Sequence, residues 1–269
     1  MMVASLKKKG AIIFFFSCCC LKDGVWAAPI AARSGSSGSS SNPAYSLSLT
    51  TFDPSGRLRQ LEFAYAAVEQ AWPAAACKCE DGVVVASWFQ DVPGSAGGCL
   101  HVCRVSETVA MAYAGLKSDF RALAARCQKI AADYRRELDC DASVWYLADE
   151  LSAVMQQHTQ MAGLRPFGAA VILAGSDQVF TVEPSGWAAP FHTTAVGLDA
   201  RRLRTDIDHT NRTVADVVET LKRFQVSNNE EQRQQSDTTQ QRSNLRCSMA
   251  TIRHKRCRLY ADITDYQTE

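Results

Sequence analysis

The order in which short apolar segments and long amphipathic segments follow one another limits this chain to few folds. Eight short segments, apolar or alternating and bounded by turn residues, have strand character: 75–79, 82–88, 100–105, 108–114, 169–174, 178–182, 187–193 and 246–252. Four segments carry apolar residues at helical spacing: 58–68, 116–138, 142–161 and 213–224. Runs of strands separated by helices favour antiparallel sheets covered by helices over strict strand and helix alternation. The sequence therefore predicts an α+β fold.

The composition excludes several classes of protein. The 269 residues suffice for one large domain, and 29 basic residues nearly balance 28 acidic residues. Such a balance gives no bulk attraction to nucleic acid or to an acidic membrane, so we expect neither as a partner. The eleven cysteines form no Cys-x-x-Cys pair, and we expect reduced, buried thiols rather than a disulfide framework. Without a zinc or Walker pattern, the sequence predicts no metal and no cofactor.

Segments of biased composition divide the chain into an extension and a folded domain. Residues 7–32 show the order of charged, apolar and small residues that is typical of a secretory signal peptide, although the apolar run is too short to cross a bilayer. The other interpretation is an extension that forms no part of the mature folded protein. A Gly/Ser-rich run at 34–42 predicts a flexible linker, so we expect an extension at 1–44 and a domain at 45–269. A Gln-rich stretch at 227–244 predicts an insertion in a surface loop.

Two longer stretches carry a more specific pattern. Residues 45–68 read YSLSLTTFDPSGRLRQLEFAYAAV, and residues 154–168 read VMQQHTQMAGLRPFG. Both stretches resemble the proteasome alpha subunits, which begin with a signature like the first and enter a strand through a motif like the end of the second. The matching positions include Gly56, Gln60, Glu62, Arg165, Pro166, Phe167 and Gly168. Within that family, residues 46 and 49–52 of the first stretch and the Met-Gln-x-x-Thr-Gln run of the second are most similar to the type-two group.

This resemblance implies a fold and a function. The fold is a four-layer αββα sandwich of the N-terminal-nucleophile hydrolase type, with two antiparallel sheets between layers of helices. The function is that of a non-catalytic alpha-ring subunit of the 20S core, which supports ring assembly, gates substrate entry and docks regulatory particles in ubiquitin-dependent protein degradation. The implied partners are the other alpha subunits of a seven-membered ring, the beta-ring subunits, and regulatory ATPases or activators. The implied locations are the cytoplasm and the nucleus.

The resemblance also assigns roles to individual residues. Tyr45, Pro54 and Phe63 match positions at which alpha subunits form the cluster that holds the axial gate open. Phe63 replaces a tyrosine, so one hydrogen bond worth about 0.5–1.5 kcal/mol would be lost, and Ser46 replaces an aspartate. Lys78 matches a lysine of the pocket that binds the carboxylate tails of activators. The alternatives are that the aromatic residues only pack and that Lys78 faces solvent.

The sequence gives little support for nucleophilic catalysis. N-terminal-nucleophile chemistry needs a chain that begins at threonine, because the free amine acts as the base for the hydroxyl. Thr50 and Thr51 precede Phe-Asp-Pro and the alpha-type helix, and no Gly-x-Ser-x-Gly elbow is present. The sequence therefore predicts no catalytic residue. Two rival hypotheses are a secreted or self-processed hydrolase of the same fold and a product that never enters a complex.

Overall fold

The computed structural model describes residues 48–90, 101–210, 213–235, 245–253 and 256–266. Tyr45, Ser46 and the predicted extension 1–44 lie outside these residues and stay predictions. The helices are α1 (Arg59–Glu69), α2 (Lys117–Leu138), α3 (Val144–Gln160), α4 (Ala200–Thr210), α5 (Val214–Gln235) and a 3-10 turn (Ile263–Asp265). None of these helices of the described chain is both long and apolar enough to span a membrane. The strands are β1 (Ala74–Lys78), β2 (Val83–Gln90), β3 (Val102–Arg104), β4 (Ala110–Gly115), β5 (Ala169–Ala174), β6 (Val179–Val182), β7 (Ala188–Phe191), β8 (Thr193–Val196), β9 (Leu245–Arg253) and β10 (Arg256–Tyr260).

The strands form two antiparallel sheets of five strands each. Sheet A has the order β10-β9-β2-β1-β8, and sheet B has the order β3-β4-β5-β6-β7. β1 and β2 form the predicted hairpin, in which the Cys79 N–H donates to the Gly82 carbonyl at 2.7 Å. In sheet B, β4 pairs with β5 so that Gly115 lies opposite Ala169. This pairing brings the end of β4 to the start of β5.

Three apolar clusters hold four layers together. The inner cluster lies between the sheets and takes residues from both, among them Val85, Ile172 and Ile252. A second cluster packs α2 and α3 on the outer face of sheet B, and a third packs α4 and α5 on the outer face of sheet A. Val84 and Ala86 belong to this third cluster while Val85 faces inward, as the pleat of a strand requires. The α+β sandwich implied by the resemblance is confirmed.

Several elements differ from the sequence prediction, among them β10, for which no strand was predicted after 246–252. The prediction missed α4, in which Leu203 and Ile207 are the two large apolar residues. These two residues are fully buried and lie four residues apart, so they pack as a single ridge on sheet A. The single strand predicted at 187–193 is wrong, because β7 ends at Phe191 in sheet B and β8 begins at Thr193 in sheet A. The sequence pattern of an extended segment does not reveal that the chain passes from one sheet to the other within it.

The Gln-rich segment 227–244 is not wholly a loop, so that part of the prediction is wrong. α5 continues through Gln235, because glutamine, glutamate and arginine are good helix formers. Asn229 ties this part of the helix to β9: its side-chain oxygen accepts from the Leu245 N–H at 2.9 Å, and its side-chain nitrogen lies 3.4 Å from the Leu245 carbonyl. The rest of the segment lies outside the described residues.

Candidate functional site

The segment before α1 is a tight turn organised by the carboxylate of Asp53. Its Oδ1 accepts hydrogen bonds from the Ser55 N–H at 2.9 Å, the Ser55 hydroxyl at 2.6 Å and the Arg57 N–H at 3.0 Å. The Gly56 N–H donates to the Asp53 carbonyl at 2.9 Å, and its φ of +78° suits a residue without a Cβ. The turn holds Pro54, one of the predicted gate residues, in an exposed position.

The same carboxylate is paired with the first turn of α1. Asp53 Oδ2 lies 2.9 Å from Arg59 Nε, and Glu62 pairs with Arg57 at 3.4 Å and with Arg59 at 3.5 Å. The bond from the Ser55 hydroxyl and then that from the Arg57 N–H lower the pKa of Asp53 to about 2, against the opposing effect of burial. Asp53 is therefore ionised at neutral pH. The motif position Glu62 acts here as part of a charge network that fixes the start of α1.

The exposed side of this segment carries two aromatic rings. Phe63, on α1, is 56% exposed, and Phe52, before the turn, is 62% exposed. Large apolar rings in water favour association with a partner surface, because burial removes apolar area from water. The structure thus places Pro54 and Phe63 at the surface, whereas the third predicted gate residue, Tyr45, lies outside the described residues.

On another side of α1, Tyr65 reaches the turn between β6 and β7. Its hydroxyl donates to Glu183 Oε2 at 2.7 Å and lies 3.0 Å from Ser185 Oγ. Burial, assisted by the Glu183 carboxylate and opposed by Ser185, raises the pKa of Tyr65 to about 12, so the phenol is a neutral donor. Sequence analysis missed this contact because Glu183 lies 118 residues along the chain.

A cleft of about 740 Å³ opens beside α1. Its walls come from α1, the turn between β6 and β7, the end of β8 and the start of α4. Val68 and Val196 line it together with the charged residues Glu183 and Arg201. None of the described residues that line it is a serine, threonine, cysteine or histidine, the side chains that most often act as nucleophile or base in acyl transfer. In the described residues, no group of His, Cys, Asp or Glu is arranged to hold a metal ion.

The motif residues Arg165 and Gly168 meet at the start of α2. Asp119, only 5% exposed, accepts from Arg165 Nη1 on Oδ2 and from Nη2 on Oδ1, each at 2.6 Å, and from the Gly168 N–H at 2.9 Å. Burial acts to raise the pKa of Asp119, but the Arg165 and Gly168 bonds together outweigh it and hold the pKa below its ordinary value. An acidic residue in the first turn of a helix is the signal by which sequence could have indicated Asp119.

Pro166 and Phe167, the other two residues of the motif at 165–168, lie between the two partners of Asp119 in the chain. Pro166 is buried, and the Phe167 ring lies 4.3 Å from the His158 ring of α3 between centroids. Gly168 lies so close to Gly115 that a Cβ on Gly115 would stand 2.2 Å from the Gly168 carbonyl oxygen. The motif therefore joins the end of β4, the start of α2 and the start of β5.

Lys78, the predicted activator-binding residue, ends β1 and is half-buried. Its N–H donates to the His192 carbonyl at 2.8 Å, and it pairs across the hairpin with Val83. Lys78 does not line the cleft beside α1. Among the described gate residues, Pro54 and Phe63 lie neither on β1 nor on its neighbouring strands, and the role of Lys78 stays a prediction.

A buried histidine that sequence analysis left without a role proves to be a packing group. His101 is 8% exposed, its ring stacks on Phe89 with centroids 3.9 Å apart, and its Nδ1 lies 3.2 Å from the Tyr113 hydroxyl. Burial, with a smaller effect from Lys117, lowers the pKa of His101 to about 4. The imidazole is therefore neutral at physiological pH and forms part of an aromatic stack.

The two candidate threonines lie at the surface, and most of the described cysteines are buried. Thr50 and Thr51 are exposed, and the Thr51 N–H donates to Ser48 Oγ at 3.1 Å. The seven described cysteines are free thiols, of which Cys140 alone is exposed. Burial raises the pKa of the Cys247 thiol, as expected for an unreactive core residue.

Comparison with known proteins identifies similar chains. The family model described as "Proteasome subunit" matches residues 68–224. Proteasome subunit alpha type-2 of Caenorhabditis elegans is 34% identical over 175 residues, covering 61% of this chain and 73% of that protein. Probable proteasome subunit alpha type-2 of Schizosaccharomyces pombe is 33% identical over 171 residues, covering 61% and 70%. Proteasome subunit alpha of Saccharolobus islandicus is 34% identical over 159 residues, covering 57% and 66%.

Proposed function

Because this chain belongs to the proteasome subunit family, we propose that it is a non-catalytic subunit of the alpha ring of the 20S core. In that role it contributes to ring assembly, limits substrate entry and docks regulatory particles. The observation that carries the proposal is the similarity to alpha type-2 subunits, which extends over 73% of the Caenorhabditis elegans protein. Its partners would be other alpha subunits, beta-ring subunits and regulatory ATPases or activators.

The start of β1 supports a non-catalytic role. Catalysis by an N-terminal nucleophile requires a hydroxyl or thiol on the first residue of the chain, beside the free amine. Here β1 begins at Ala74, which is fully buried and follows the buried Pro73. Helix α1 precedes this strand in the chain, so Ala74 is an internal residue whose nitrogen is part of a peptide bond.

The surface of α1 supports the assembly and gating part of the proposal. Pro54 is held by the Asp53 turn, which has few degrees of freedom, and Phe63 presents more than half of its surface to solvent. A neighbouring subunit that covered Phe63 would gain the stabilisation of burying an aromatic ring.

We extend the proposal to a location in the cytoplasm and nucleus, because buried free thiols suit a reducing compartment.

Replacing Lys78 with alanine should weaken the binding of activators whose tails end in a carboxylate. A charge-assisted hydrogen bond to that tail would be lost, which corresponds to about 10- to 100-fold in affinity. The measurement is the dissociation constant of an activator for purified particles that carry the variant. Lys129→Ala, on the exposed surface of α2, is the matched control. An activator affinity equal to that of the wild type would identify Lys78 as a strand lysine without this role.

Native purification of a tagged chain, followed by mass spectrometry of its partners and of its own amino terminus, tests the proposal. We expect the other alpha and beta subunits to co-purify in equal amounts in one large particle. Reciprocal purification through a tagged beta subunit should recover this chain. Recovery as a secreted monomer whose first residue is Thr50 or Thr51 would instead support the hydrolase hypothesis. Recovery as a solitary chain with any other terminus would also contradict the ring assignment.

A further inference from the structure

Helix α1 is attached to the rest of the fold by little apolar surface. Only Ala64 and Val68 of its eleven residues are buried. Val68 packs with Ala114 and Ala170 in a cluster that is much smaller than the three main clusters. Burial of such small side chains stabilises a helix weakly compared with the leucines and aromatic rings under α2 and α3. The position of α1 therefore depends on polar contacts more than the positions of α2 and α3 do.

The polar contact on the cleft side of α1 is the bond from Tyr65 to the turn between β6 and β7. That turn is itself well fixed: the Gly186 N–H donates to the Glu183 carbonyl at 2.8 Å, and the Glu183 N–H donates to the Trp187 carbonyl at 2.9 Å. The Ser152 hydroxyl of α3 donates to the Gly186 carbonyl as well. Tyr65 thus links a weakly packed helix to a firmly held turn.

The cleft gives α1 room to move if this link opens. Tyr65, Val68 and Glu69 form one wall of the cleft of about 740 Å³, and the opposite walls belong to other elements. Phe63 lies two residues before Tyr65, which is about 200° around the helix, so a tilt of α1 toward the cleft would displace the exposed Phe63 ring. The hydrogen bond of the Tyr65 hydroxyl is therefore the contact that keeps α1 from tilting into the cleft and so keeps the exposed Phe63 ring in place.

We propose that Tyr65 and Glu183 form a latch that holds α1 in place beside the cleft, and that opening this bond lets α1 tilt and moves its exposed aromatic face. The latch goes beyond the proposed ring function, because it belongs to the chain itself and would operate in any assembly that contains it. It gives a partner bound at Phe63 a physical connection to the turn between β6 and β7.

Hydrogen exchange measured by mass spectrometry on the full-length chain, in the assembly in which it is purified, tests the latch. Tyr65→Phe should speed the exchange of α1 amides about two- to tenfold, because one hydrogen bond no longer opposes local opening. Peptides from α2 and α3 should exchange at the wild-type rate. Tyr134→Phe, which removes the hydroxyl of a half-buried tyrosine of α2, is the matched control and should leave α1 unchanged.

The double variant separates a latch from a general loss of stability. Glu183→Ala should speed the exchange of α1 amides, and Tyr65→Phe combined with Glu183→Ala should add little to Tyr65→Phe alone, because both changes break the same bond. Unchanged exchange of α1 in Tyr65→Phe would overturn the proposal. So would a rise spread evenly over α1, α2 and α3, or fully additive effects of the two substitutions.

Discussion

Replacing Asp119 with alanine should lower the free energy of unfolding by about 2–4 kcal/mol. The substitution removes the acceptor of both Arg165 nitrogens and leaves the Gly168 N–H without its partner. The loss stays below that of a fully buried ion pair, because the Arg165 side chain is 61% exposed and water can solvate it. Unfolding by denaturant or heat measures the effect, and the melting temperature should fall by about 5–15 °C.

The pH dependence of this variant distinguishes loss of charge from loss of packing. The pKa of Asp119 is lowered in the folded chain, so its stabilising contribution is present above the pKa of an unfolded aspartate, about 3.9, and is lost as the pH falls through the lower folded value. The difference between wild type and Asp119→Ala should therefore shrink below about pH 4. Asp149→Ala, at an exposed position of α3, should change stability by less than about 0.5 kcal/mol. Equal effects of the two substitutions would contradict the role given to Asp119.

Local patterns in the sequence were sufficient for most of the fold. Each correctly predicted element has an apolar pattern that continues along its whole length. Examples are the hairpin of β1 and β2, the long helices α2 and α3, and the buried strand β5. The elements that failed depend on the surroundings. α4 has only two buried residues, and β8 is defined by the sheet with which it pairs. Periodicity reports burial along one segment and carries no information about which sheet a strand joins.

For the candidate site too, the sequence indicates individual residues but not the long-range contacts between them. The sequence indicates Arg165 and Gly168 as motif residues but does not pair them with Asp119, which lies 46 residues from Arg165. Tyr65 lies within the predicted helix 58–68, but the pattern gives its side chain no role, although its hydroxyl makes the contact that reaches the turn after β6 of sheet B. Long-range polar contacts leave no local pattern, so they become visible only when the fold brings the partners together.

Replacing Gly115 with alanine should be the most disruptive single methyl addition in this region, with a loss of about 3–5 kcal/mol in the free energy of unfolding. Gly115 has a φ of +124°, a conformation that residues with a Cβ rarely adopt. The added Cβ would also stand 2.2 Å from the Gly168 carbonyl oxygen and 2.7 Å from the Ala169 Cα. Both contacts are backbone atoms, which cannot rotate away as a side chain would.

Gly163→Ala separates the cost of the backbone conformation from the cost of the close approach. Gly163 also has a positive φ, +87°, but a Cβ there would meet no atom within 4 Å. Its replacement should cost only about 1–2 kcal/mol, the penalty of the left-handed conformation. The excess in Gly115→Ala then measures how tightly β4 and β5 approach at the start of α2. If both variants lose the same stability, the two strands separate without cost at this point, and the motif at 165–168 does not hold them as described.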